Sequence, residues 1–200
     1  MANKSEIQKI KRYSHILRKV LTVFYWVAVV GACVSLIAAV ASIFFIPDSN
    51  FTLNNSSTGR YGFSLDGLIK YDITEAALGI NMKNAYISIL FMAVMVMLLV
   101  IIVAKQLIHI LKSLEEDKPF VKENAVRISS IGIVLVLSSF LIPVFEYIVA
   151  WTMLDLLKIQ NISLNYSVNI YLVLAGFLMF VLSGIFKYGS FLQNEYDETV

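Results

Sequence analysis

Ala85-Tyr86-Ile87-Ser88-Ile89-Leu90-Phe91-Met92-Ala93-Val94-Met95-Val96-Met97-Leu98-Leu99-Val100-Ile101-Ile102-Val103-Ala104 contains no acidic or basic side chain. As a helix rising about 1.5 Å per residue it covers about 30 Å, the thickness of a bilayer's hydrocarbon core. Soluble core helices seldom stay apolar on every face for so long, so the stretch reads as a membrane span. Lys105 and His109 follow one turn apart, and we place this span at residues 85–113.

Three further apolar runs have the same character. One occupies residues 20–46, one residues 127–154 with Pro143 and Glu146 inside it, and one residues 168–188 with Lys187 at its edge. Composition agrees: 58% of the 200 residues are hydrophobic and 15% charged, against about 25% charged in soluble domains. The expected fold class is an all-α membrane protein, a bundle of four transmembrane helices in a single domain over residues 1–200. A small extracytoplasmic loop subdomain, containing a β-hairpin, is expected between helices 1 and 2.

Orientation follows from the basic residues. If the first span enters from the cytoplasm, Lys4, Lys9, Lys11, Arg12, Arg18, Lys19, Lys105, Lys112, Lys118, Lys122, Arg127 and Lys187 lie inside, and Arg60, Lys70, Lys83 and Lys158 outside. That is 12 against 4 of the 16 cations, and the positive-inside rule sets both termini in the cytoplasm of a cell-membrane protein. The connecting segments are then an inner basic segment (1–19), an outer loop (47–84), an inner loop (114–126), an outer loop (155–167) and a cytoplasmic tail (189–200).

The basic start, the first apolar run and Ala39-Val40-Ala41 imitate a cleavable signal peptide. The apolar stretch before that site is about 20 residues, longer than the 7–15 of a signal core, so a retained anchor is expected. The single cysteine, Cys33, excludes a disulfide within the chain and reads as a small packing residue. In the N-terminal segment Ile7, Ile10, Tyr13, Ser14 and Leu17 fall at helical spacing among cations. This is either an amphipathic helix on the inner leaflet or a flexible topology signal.

Ala28, Gly31, Ala32, Ser35, Ala38, Ala39 and Ser42 form a stripe of small residues along the first span, which lets a neighbouring helix approach closely. That neighbour belongs either to the same chain or to a second copy, so a homo-oligomer stays open. In the outer loop Phe51–Leu53 and Arg60–Phe63 suggest two short extended segments around a turn, and Asp72–Met82 a short helix. Phe51, Tyr61, Phe63 and Tyr71 serve there either as headgroup anchors or as a ligand surface. In the inner loop Pro119 is expected to end the second helix, and Glu123 suits the first turn of the third. So short a connection makes these helices antiparallel neighbours.

Ionisable groups inside a bilayer are functional candidates, because a charge at its centre costs at least about 2.5 kcal/mol. Here they are Lys105, His109 and Glu146. Lys105 can extend along the helix to the headgroups, and Glu146 lies near the outer surface beside Pro143, where a kink exposes backbone. No phosphate-binding glycine loop, metal-ligand spacing or nucleophile-base pairing is present. We therefore expect no catalytic residue, cofactor or metal and no direct contact with nucleic acid; the lipid bilayer is the first partner.

Two stretches carry a resemblance. Lys118-Pro119-Phe120 with Glu123-Asn124-Ala125 and Ile131-Gly132, and Phe186-Lys187-Tyr188-Gly189 with Leu192-Gln193-Asn194-Glu195-Tyr196-Asp197-Glu198-Thr199, are similar to motifs of an uncharacterised bacterial family of four-helix membrane proteins, the YoaS-like proteins. Asp117 stands where that family usually has glycine, and Val121 where it usually has serine or threonine. The resemblance implies no activity, but such proteins are often encoded beside small helix-turn-helix regulators of the Cro/CI type.

Two functional readings result. In the first, a regulatory or sensor protein binds a cytoplasmic partner, such as a transcriptional regulator, through Pro119, Phe120, Asn124, Gln193, Glu195 and Asp197, the acidic tail meeting a basic surface. In the second, a lipid- or small-molecule-binding envelope-stress or immunity protein has a cavity that opens outward under the 47–84 loop.

Overall fold

The computed structural model describes residues 4–52, 62–65, 69–72, 79–159 and 163–199. Four long helices dominate: α1 (Lys4–Phe44), α2 (Lys83–Glu115), α3 (Lys122–Leu156) and α4 (Ile170–Thr199). Each is long and apolar enough to cross a membrane. Their large apolar side chains point outward, among them Phe24, Val27, Val34 and Ile37 on α1 and Leu174, Leu178, Val181 and Ile185 on α4. The interior is filled mostly by small residues, among them Ala28, Ala39, Ala104, Ala125, Ser42, Ser138 and Ser139, with Ile128, Ile131, Val134 and Leu154 of α3 beside them. Such a distribution suits lipid, where association rests on close packing of small side chains rather than on expelling water.

The helices outrun the apolar segments. α1 continues unbroken from the basic N-terminal residues into the first span, so residues 4–19 extend that helix. α4 likewise carries its helix through the acidic residues to Thr199. Pro143 sits inside α3 without ending it.

Helix ends are set locally. Asn169 caps α4, its Oδ1 accepting from the amides of Tyr171 and Leu172 at 3.1 and 3.2 Å, donors that otherwise lack partners in a first turn. α2 ends before Pro119, not at it. Asp117 takes a left-handed φ of 60°, the Lys118 amide donates to the Ser113 carbonyl at 2.9 Å and that of Asp117 to Leu114 at 3.4 Å. This is the six-to-one and five-to-two pattern of a Schellman cap. α3 ends the same way at Lys158, φ 51°, with Ile159 donating to Leu154 at 3.1 Å and Lys158 to Asp155 at 3.2 Å.

The chain forms two compact units. One holds residues 1–32, 96–141 and 168–200, with both termini; the other holds 33–95 and 142–167. In the first, the stripe on α1 meets α2: a Cβ on Gly31 would stand 2.8 Å from the sulfur and methyl of Met97. A neighbour of the stripe is therefore a helix of the same chain. Cys33, expected as packing, is exposed.

In the second unit a 3-10 turn, η1 (Asp48–Phe51), follows Pro47. The Lys83 ammonium donates to the Ile46 carbonyl at 3.1 Å and to Asp48 at 2.7 Å, and lies 6.0 Å from the centre of the Phe51 ring. A cation just beyond the C-terminal end of α1 is favoured by the helix dipole. Strands β1 (Gly62–Leu65) and β2 (Ile69–Asp72) pair antiparallel, with Phe63 opposite Tyr71. The expected pairing of Phe51–Leu53 with Arg60–Phe63 is replaced: Phe51 belongs to the 3-10 turn, Thr52 bridges to Asn81, and Leu53–Tyr61 fall outside the described residues. The expected helix over Asp72–Met82 is not seen where described, since Asp72 ends β2 and Gly79–Met82 is non-helical; residues 73–78 lie outside the described residues.

Candidate functional site

The unit that holds both termini concentrates the polar chemistry around the α2–α3 turn. Its centre is Asn124, fully buried in the first turn of α3. The Asn124 Nδ2 donates to the Ser113 hydroxyl and, at 2.9 Å, to the Pro119 carbonyl, while Oδ1 accepts from Arg127 at 2.8 Å. Both amide hydrogens and the oxygen are therefore used, which is what makes burying the amide tolerable. Asn124 thus builds the turn and has no surface for a partner. This corrects its expected binding role.

Phe120 leaves the turn in the opposite direction and lies over α4. Its ring is 5.3 Å from that of Phe186, and a Cβ on Gly189 would stand 2.8 Å from its Cδ1. Only glycine lets the ring sit so close to the helix backbone. Above it, Ser183 donates to the Ala125 carbonyl at 2.7 Å. The two stretches that carried the resemblance, distant in sequence, therefore meet. Gln193 follows Gly189 by four residues, on the helix face that Phe120 covers; Asp197 continues that row by register, whereas Glu195 falls off it. Gln193 is half-buried and Glu195 exposed.

On the other side of the turn, α1 contributes cations that sequence reasoning assigned to the membrane surface. Arg18 donates through Nε to Glu115 at 2.9 Å, His15 lies 3.6 Å from the same carboxylate, and Lys11 pairs with Asp117. Lys11, His15 and Arg18 recur every three to four residues, and Glu115-Glu116-Asp117 closes α2; that complementarity was the available signal. Tyr13 and Leu17 are exposed while Ser14 is buried, so the packed face of this segment is its small polar side.

A depression of about 230 Å³ opens beside the turn, lined by His109, Lys112, Glu116, Lys118, Glu123 and Arg127 among others. His109 and Lys105 are both exposed, and His109 Nδ1 lies 2.7 Å from the Lys105 carbonyl. That contact makes Nδ1 the protonated nitrogen and turns Nε2 away from its own helix. Glu146 is exposed on α3 in the other unit, where the neighbouring rings of Tyr147 and Trp151 stack at 6.4 Å. The structure thus brings Pro119, Phe120, Asn124 and Gln193 into one region, and it leaves Glu146 outside that region.

Among the described residues no group of three or more His, Cys, Asp or Glu side chains is placed to hold a metal ion. A family model described as a protein of unknown function (DUF2975) matches residues 73–200. No curated protein and no solved structure matches the chain.

Proposed function

This chain belongs to the DUF2975 family, whose function is unknown, and on that premise we propose a non-enzymatic regulatory or sensor protein of the cell membrane that docks a cytoplasmic partner. The docking face is the end of the bundle that carries the α2–α3 turn and the last turns of α4, with both termini in the cytoplasm as the 12-to-4 division of cations requires.

What supports this reading is the packing of Phe120 on Phe186 and Gly189. It fuses two segments into one surface, from which α4 runs on to the exposed Glu195 and Glu198. The resemblance to YoaS-like proteins suggests the partner, a small helix-turn-helix regulator. An acidic helix end attracts such a protein's basic DNA-binding face by charge complementarity, so docking and DNA binding would compete. The membrane protein itself then touches no nucleic acid.

The test is capture of the separately purified regulator by the detergent-solubilised protein, compared with Glu195→Lys/Glu198→Lys. Capture by the wild type and its loss in the double variant are expected. Equal capture by both removes the α4 end from the interface, and capture by neither overturns the reading.

A further inference from the structure

We propose that the depression beside the α2–α3 turn binds a phosphate group, presented by an anionic phospholipid headgroup or as free phosphate. The inference does not depend on any protein partner. It starts from depth: Lys112 lies at the end of the 85–113 span, and Arg127 opens the 127–154 span. Both cations thus stand where spanning helices meet headgroups, and both line the depression together with Lys118.

Arg127 is not a loose surface cation. It is half-buried, and its guanidinium is fixed by the 2.8 Å bond to Asn124 Oδ1, an amide that is itself fully buried and anchored to Ser113 and Pro119. That bond uses one of five guanidinium N–H donors, and a planar fork of such donors matches the oxygens of a phosphate. Lys118 has no ion pair among the described residues, and its amide closes the α2 cap, which holds its backbone in place. Of the facing carboxylates, Glu116 is occupied by Lys112 at 3.7 Å. Glu123 opposes an anion. The balance leaves Lys118 and Arg127 against Glu123, a net attraction for phosphate that Glu123 moderates.

The experiment uses the full chain in a neutral detergent, titrated separately with short-chain phosphatidylglycerol, short-chain phosphatidylcholine and inorganic phosphate. Retained lipid is read by native mass spectrometry and stabilisation by the unfolding temperature. Phosphatidylglycerol is expected to bind more tightly than phosphatidylcholine, with Lys118→Gln weakening it by about tenfold, the scale of one lost charge-assisted contact. Glu123→Gln is expected to tighten it, an opposite sign that no general loss of structure produces. Arg127→Lys, which keeps the charge and loses the fork, is expected to weaken it while the protein stays folded. Binding of inorganic phosphate with no preference between the two lipids assigns the site to the free anion. Equal binding of all three ligands by wild type, Lys118→Gln and Glu123→Gln, or no binding by any, overturns the proposal.

Discussion

Gly132 and Gly176 meet backbone to backbone: a Cβ placed on either would stand 2.9 Å from the other's carbonyl oxygen. The added carbon on Gly176 would also come within 2.5 Å of Val136 Cγ2, and that on Gly132 within 2.8 Å of Phe180. Two helices in lipid gain their attraction from such close approach, since side-chain burial there expels no water. The α3–α4 contact is therefore built on the absence of two methyl groups.

Gly176→Ala is accordingly expected to lose stability, because overpacking costs about 1–3 kcal/mol and outweighs the roughly 1 kcal/mol that alanine gains in helix propensity. Gly184, on the same helix, has nothing within 4 Å of the point a Cβ would occupy, so Gly184→Ala should gain up to about 1 kcal/mol. Thermal unfolding in detergent ranks the two. Equal melting temperatures would mean that the helices do not touch at Gly176.

Removing the amide of Asn124 leaves the Pro119 carbonyl, the Ser113 hydroxyl and Arg127 each short of a partner. Unmet buried polar groups cost about 1–3 kcal/mol, so Asn124→Ala should be among the most damaging substitutions of the turn. Asn124→Asp keeps the shape but lacks the donors to Ser113 and Pro119, and it should rescue little. Protease cleavage within residues 114–126, faster in both variants than in wild type, is the readout; wild-type rates in Asn124→Ala would show that the network carries no weight.

The four spans were legible because lipid imposes length and apolarity on each of them separately, run by run. Helix ends were less so. Hydropathy marks where hydrocarbon stops, whereas the helix stops where its carbonyls are capped, and α2 is capped by Asp117 before Pro119 is reached. The polar flanks of α1 and α4 stay helical because nothing in Lys4–Lys19 or Gln193–Thr199 breaks a helix. Motif resemblance pointed to Pro119-Phe120 and to Phe186–Gly189 but not to their contact. Pairing across helices, as in Gly132 with Gly176 or Arg18 with Glu115, depends on the register between elements, which no local pattern contains. Asn124 was visible as a residue of interest, yet its burial comes from Ser113 on another helix.

Asp117 and Lys158 occupy left-handed positions that favour glycine, at φ 60° and 51°. A side chain there costs about 1–2 kcal/mol, less for aspartate. Lys158→Gly is expected to raise stability by about 1 kcal/mol. Asp117→Gly should gain less, because aspartate tolerates the conformation and the pair with Lys11 is lost, an exposed contact worth under about 1 kcal/mol. Unfolding temperatures that fall in Lys158→Gly would contradict the cap geometry.

Arg18 and Glu115 tie the N-terminal turns of α1 to the end of α2 through a pair whose side chains keep 31% and 20% of their exposure. Partial burial strengthens the attraction above that of a surface pair. A double-mutant cycle with Arg18→Ala and Glu115→Ala should return a coupling near 1 kcal/mol at low salt. Salt screens the exposed share, so the coupling should shrink as ionic strength approaches about 1 M, where the screening length falls to about 3 Å. The paired residues also bear on hydrogen exchange: losing either should speed exchange of the amides in residues 8–17 of α1 while those of α3 keep their protection, because α3 is anchored to α4 by other contacts. Uniform acceleration across all four helices would show that this pair holds the whole bundle rather than one end of α1.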